Sequence, residues 1–284
     1  MENILEVKNL SKKFENSKFE ISDVSFDVPR GTIFGMIGEN SAGKTTILKL
    51  IMNAYGRDSG KVTAYGNVDN IRDEPEFKNR TGFVVEDYLY DTISVKRIAQ
   101  AFSCAFSNWK QEIFDKYINH WNIDITQLCS QLSKGAKIKV MIALALGHQP
   151  EMLILDEPTD GLDPHARAEL LDIFREFVSD GEKSVIFSTH ITSDLDKTAD
   201  YIAVVSNGKI TEVLTADETQ EKYAVVSGDK TDGIEKYLIG MKKSEIGYEG
   251  LVLRENLAYF DDVTVRNPTY EDILMYTISG KRGE

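Results

Sequence analysis

One nonapeptide narrows the choice of fold more than any total over the chain. GENSAGKTT, residues 38–46, satisfies G-x-x-x-x-G-K-[ST] through Gly38, Gly43, Lys44 and Thr45. A short apolar run, GTIFGMIG (31–38), precedes it. A helical pattern from about Lys44 follows, with Ile47, Leu48, Ile51 and Met52 on its apolar side. Strand, glycine loop, helix is the order a phosphate cradle requires. The glycines permit backbone angles that turn successive N–H groups toward one anion, and the helix start adds its positive end. Glu39, Asn40, Ser41, Ala42 and Thr46 complete the loop that wraps the anion. Lys44 can reach the outer phosphates, and the Thr45 hydroxyl can ligate Mg²⁺. The expected ligand is a nucleoside triphosphate with magnesium.

A second stretch supplies what the cradle lacks. In EMLILDEPTDGLD (151–163) an apolar run carries Asp156 to the carboxyl end of a buried strand, where open α/β sheets bind ligands. Asp156 is placed to hold Mg²⁺ through water. Glu157 leaves the opposite side of the strand end, where a carboxylate can orient water for in-line attack on a phosphate. Downstream, FSTH ends another apolar strand on His190, on the same edge.

The rest of the chain reads as a frame for these groups. Leu5 and Val7 alternate with Glu6 and Lys8, and Val24, Phe26 and Val28 with Ser25 and Asp27, so the first thirty residues are strands. The runs at 152–156, 183–189 and 201–206 alternate with helices; Leu170, Phe174, Phe177 and Val178 share one helical face. That alternation predicts a parallel sheet covered on both sides. From about 87 the pattern turns helical, with Val95, Ile98, Ala99, Phe102 and Phe106 as a core stripe. After about 216, KYAVVSG, IEKYL, LVLRENLAYF and YEDILMYTI suggest a small α+β appendage.

Charge and cysteines bound the function. A net charge of -13 argues against nucleic acid as a broad electrostatic partner. Cys104 and Cys129 stand in no metal or redox spacing and read as reduced thiols. MENILEVKNL carries no basic-then-apolar signal. The longest apolar runs, such as VMIALALG (140–147), fall short of the roughly 18 residues a membrane span needs.

Taken in order, the motifs resemble the ATP-binding subunit of an ABC transporter over residues 1 to about 215. By that resemblance Phe14 stacks on adenine, Gly38 to Thr46 form the Walker A loop, and Leu153 to Glu157 the Walker B strand. Gly161, Leu162 and Asp163 match the D-loop, and His190 the switch histidine. LSKGAK (132–137) falls on the signature sequence, usually L-S-G-G-Q, which serves the ATP of a second subunit docked head to tail. Ser133 and Gly135 keep that pattern; Lys134 and Ala136 depart from it, as Ser41 does where glycine is common in the Walker A loop. Glu86 occupies the Q-loop glutamine position, where it is expected to ligate magnesium directly or through water.

The resemblance implies a P-loop NTPase core with an N-terminal antiparallel β subdomain and an α-helical signature subdomain at about 87–145. The expected division is 1–215 for the ATPase and 216–284 for the appendage. The implied activity is ATP hydrolysis by a dimer closed around two ATP, coupled to a transmembrane permease. Tyr88, Leu89 and Tyr90 would help form the groove that receives it. The short helical stretch and the appendage look most like ATPases of ABC-2 exporter systems, peripheral on the cytoplasmic face of the membrane. The competing readings are a soluble ABC ATPase acting on ribosomes or DNA, and an idle module that uses ATP only as a clamp. The first would usually carry two fused domains or a long coiled coil; the second would be expected to lack Glu157 or His190.

Overall fold

Alternation of apolar and polar side chains builds the first layer. The computed structural model describes residues 2–15, 17–85, 92–229, 233–244 and 247–279. Strand β1 (Asn3–Lys13) pairs antiparallel with β2 (Glu20–Pro29), turning Leu5, Val7, Val24, Phe26 and Val28 inward. Strand β3 (Ile33–Ile37) is buried along its whole length and feeds helix α1 (Lys44–Ile51). Strands β4 (Ser59–Ala64) and β5 (Val68–Asp69) extend the first sheet to the order β2-β1-β4-β5, antiparallel throughout.

Helix α2 (Glu74–Arg80) leads into β6 (Thr81–Val84). A helical subdomain follows: α3 (Val95–Ala105), α4 (Gln111–His120) and α5 (Lys134–Gly147). The sheet resumes with β7 (Met152–Asp156), α6 (Pro164–Val178), β8 (Ser184–Thr189), α7 (Thr192–Thr198), β9 (Tyr201–Ser206) and β10 (Lys209–Thr215). Its strand order is β10-β9-β3-β8-β7-β6, parallel from β9 to β6, with β10 antiparallel at the edge.

Successive side chains of these parallel strands enter two different cores. Phe34, Met36, Ile154, Ile186, Ala203 and Val205 pack with α1 and the antiparallel sheet. Ile33, Ile37, Leu153, Leu155, Val185 and Phe187 pack on the other side with α5 and α6. Burial on both faces explains why these strands are apolar runs rather than alternating ones. The same logic explains α5, which is apolar all round. Its Ile138, Met141, Ile142 and Ala145 serve the sheet, and its Val140, Ala143 and Leu144 serve the helical subdomain with Val95, Phe114 and Ile118. In the expected α3 stripe Val95, Ile98 and Ala99 are buried. Phe106 instead stands just past the helix end and stacks on His148, ring centroids 4.3 Å apart.

Beyond β10, helix α8 (Ala216–Lys222) starts with Thr215 as its cap, and Glu218 reaches back to the Thr215 N–H. Strands β11 (Tyr223–Gly228), β12 (Leu238–Ser244), β13 (Gly247–Leu253) and β14 (Thr264–Arg266) form an antiparallel sheet in the order β12-β13-β11-β14, followed by α9 (Tyr270–Ser279). One face joins the ATPase core: Val225, Leu251, Ile273 and Tyr276 share a cluster with Leu195 and Leu214. The Tyr270 N–H donates to Asp196 Oδ1 on α7 at 3.1 Å.

Candidate active site

The loop between β3 and α1 closes on its own lysine. Lys44 is buried and its ammonium donates to the carbonyl oxygens of Gly38 (2.8 Å) and Glu39 (3.3 Å). Gly43, at φ 113°, caps α1 in a backbone state that side chains disfavour. A Cβ at Gly38 would lie 2.4 Å from the Val205 carbonyl oxygen, so β9 closes the rear of the loop only against glycine. Ser41 takes φ 67°, which accounts for the glycine common there; this chain accepts that strain with a serine.

The end of β7 meets this loop through two carboxylates. Thr45 Oγ1 donates to Asp156 Oδ1 at 3.0 Å, joining the first turn of α1 to the strand end. Ser188, on β8, donates to the same Asp156 oxygen at 2.6 Å and accepts the Glu157 N–H at 3.0 Å. One hydroxyl thus sets both acids. The Glu157 backbone is held at φ 47°, a strained state of the kind that concentrates at functional sites. Its side chain spans two cations or potential cations. Oε1 lies 3.4 Å from Lys44 Nζ, and Oε2 accepts from His190 N–H at 3.2 Å and pairs with His190 Nδ1 at 2.8 Å.

These groups surround an open cavity of about 560 Å³ lined by Asn40 to Thr46, Glu157, His190, Phe19 and Asp160. Gly38 and Glu39 are not in that lining and act on it through the carbonyls that hold Lys44. Among the described residues, the lining does not include Phe14, Ser133, Gly135 or Asp163. The Phe14 ring stacks behind Phe19 at 6.4 Å, and it is Phe19 whose ring closes on Gly43. Ser133 caps α5, its Oγ accepting from the Ala136 N–H at 3.2 Å, and is exposed. Asp163 caps α6 by accepting from the N–H groups of His165 and Ala166, both at 3.0 Å. Glu86, with Tyr88, Leu89 and Tyr90, lies outside the described residues.

Sequence reasoning missed Phe19, Ser188 and Asp160. Ser188 had a readable signal, a hydroxyl near the end of an otherwise apolar strand and two residues before His190. Phe19 and Asp160 depend on how loops fold and carried none.

Comparison with known proteins agrees with this geometry. The family profile described as "ABC transporter" matches residues 21–160. A lantibiotic transport ATP-binding protein of Streptococcus pyogenes is 31% identical over 210 residues, covering 73% of this chain and 89% of the relative. An uncharacterised ABC transporter ATP-binding protein of Synechocystis is 30% identical over 268 residues, covering 87% of this chain and 74% of the relative. A solved structure of the ATP-binding subunit of an ABC transporter superposes with a TM-score of 0.68 at 26% identity, covering 76% of this chain and 92% of that one. The chain belongs to the ATP-binding proteins of the ABC transporter family, and its fold is their P-loop NTPase fold with a helical signature subdomain. ATP is its ligand and ATP hydrolysis its reaction class.

Proposed function

We propose that the chain hydrolyses ATP as one half of a head-to-tail dimer closed around two nucleotides, and that this cycle drives a separate transmembrane permease of exporter type. The observation that carries the shared-site reading is the placement of the signature. Ser133 and Gly135 open a capped fourteen-residue helix whose start is turned to solvent and does not line the chain's own cleft. A helix start is an anion site, and here it serves the γ-phosphate held by a second copy or a related ATPase.

Within the chain's own cleft, the N–H groups of residues 38–46 and the Lys44 ammonium bind the phosphates. Thr45 and Asp156 offer hard oxygen donors side by side and fit magnesium, with Glu86 as a further ligand. Magnesium, when bound, neutralises charge on the phosphate oxygens. Glu157 orients the attacking water and takes its proton. His190 fixes the second carboxylate oxygen and keeps the first aimed at the cleft. Phe19, backed by Phe14, offers its ring to the base, and Asp163 belongs to the turn that faces the partner.

Residues 1–215 form the ATPase domain and 216–284 an accessory domain. The accessory domain braces α7, the helix directly after His190, through Tyr270 and Asp196. Among the described residues no helix is long and apolar enough to cross a membrane. Attachment to the inner face of the cell membrane therefore runs through the permease. The lantibiotic transport protein among the relatives supports the transport reading. Purifying the tagged chain from detergent-solubilised native membranes tests the transport reading. A stoichiometric polytopic membrane protein is expected; recovery only as soluble protein or with ribosomes overturns it.

A further inference from the structure

Lys134 replaces the first glycine expected in the signature and puts a cation on the first residue of α5, at a helix end that is already positive. Its ammonium donates to Asp160 Oδ2 at 2.6 Å. Asp160 sits in the turn between β7 and α6, with its N–H donating to the Glu157 carbonyl at 3.1 Å. Its side chain lines the nucleotide cleft together with Lys44, Glu157 and His190. Close packing runs beside the charge pair. A Cβ on Gly135 would come 3.1 Å from Leu162 Cδ2, and one on Gly161 would come 3.1 Å from Lys134 Cδ. Leu162 is itself part of the buried core. One end of the ion pair therefore touches the chain's own cleft, and the other sits on the helix start offered to a partner.

We propose that the Lys134–Asp160 pair is a positioning link that couples the two nucleotide sites through a single protomer. The inference rests on the shared-site reading given above. A phosphate entering the chain's own cleft brings negative charge beside the Asp160 carboxylate, which the Lys134 hydrogen bond keeps ionised. Movement of that carboxylate carries Lys134 with it, and with Lys134 the first turn of α5. Loading one cleft thereby sets the placement of Ser133 and Gly135 at the other. Neither residue has to touch the reacting atoms for this to work. The pair is partly exposed, so the coupling is modest and sensitive to salt.

The test measures steady-state ATPase rate against ATP concentration for the full chain and for Lys134→Ala, Asp160→Ala and the double variant. Each single substitution is expected to raise half-saturating ATP by about threefold and lower the Hill coefficient, and the double variant to go no further than either single. Lys134→Arg with Asp160→Glu should restore both quantities, a rescue that loss of folding would not show. Effects that add in the double variant, or a Hill coefficient that stays at its original value, overturn the link. The shared-site reading is checked separately in a Glu157→Gln background by sedimentation with ATP. A chain that stays monomeric there overturns pairing with a second copy and, with it, a link between two such copies, whereas one that dimerises with additive pair effects overturns the link alone.

Discussion

The cradle end and the signature end of this chain are built by opposite means. The cradle end is set by the core. β3, β7 and β8 are buried strands, and their ends deliver the loop, Asp156, Glu157 and Ser188 into one hydrogen-bond network. The signature end is set by a single cap, one surface ion pair and the packing of Gly135 on Leu162. The first draws these hydrogen bonds from within the chain and is preorganised, as electrostatic catalysis requires. The second closes its one cation on Asp160 at the surface, and its helix start is turned to solvent. The contrast teaches that a site's rigidity follows from where its charge is balanced: among buried strand ends for the cradle, at the surface for the signature.

The most drastic way to break the contrast is to disable the cradle end. Glu157→Gln keeps the shape of the side chain and its contact with His190 but removes the proton acceptor. Turnover is expected to fall about a hundredfold or more, while ATP binding persists and ATP-loaded dimers accumulate. Phosphate release and sedimentation in the same samples check both halves. Turnover within threefold of the original would show that another group takes the proton.

The far end of the signature helix offers a second, smaller test. His148 follows the last residue of α5, buried and stacked on Phe106. Burial pushes its pKa down to about 4. Above pH 6.5 the imidazole is neutral in both folded and unfolded chains. Between about 6.5 and 4 only the unfolded chain takes up the proton, so stability is lost as pH falls through that window. The loss attributable to this one ring is about 2 kcal/mol at pH 5. Urea midpoints at pH 7.5 and pH 5 for the original chain and for His148→Leu check it. The variant should be the less acid-sensitive of the two, and an equal pH response would place the ring in contact with water when folded.

The same contrast governs what could be read from the sequence. The cradle was legible because its signals are local: glycine spacing, an apolar run ending in two acids, a histidine closing a strand. The parallel sheet was legible from the same apolar runs. The hairpin of β9 and β10 was available in Asn207-Gly208, both at positive φ (48° and 73°), a two-residue turn of the favoured kind that the pattern of strands alone left unread. The aromatic at the cleft was not legible. Phe14 and Phe19 stand close together in the chain, and only the fold decides which ring faces Gly43. Nor could spacing pair Lys134 with Asp160, since 26 residues and the whole of α5 and β7 separate them in the chain. That contact exists because α5 is shared between two cores and its first turn is thereby pressed against the loop after β7.

The smallest expected effect discriminates most finely between the two ends. Ser133→Ala removes the oxygen that accepts the Ala136 N–H, and loss of such a cap costs about 1 kcal/mol. Thr215→Ala removes a comparable cap from α8, whose Oγ accepts the Glu218 N–H at 3.1 Å and which lies outside the cleft lining. Both variants should melt a few degrees lower by about the same amount. In the Glu157→Gln background, the shared-site proposal requires that only Ser133→Ala raise the ATP concentration needed for half-maximal dimerisation. Equal dimerisation curves for the two variants would reduce Ser133 to a helix cap and remove the signature end from the nucleotide site. A shift confined to Ser133→Ala would separate its service to the partner from its service to its own helix.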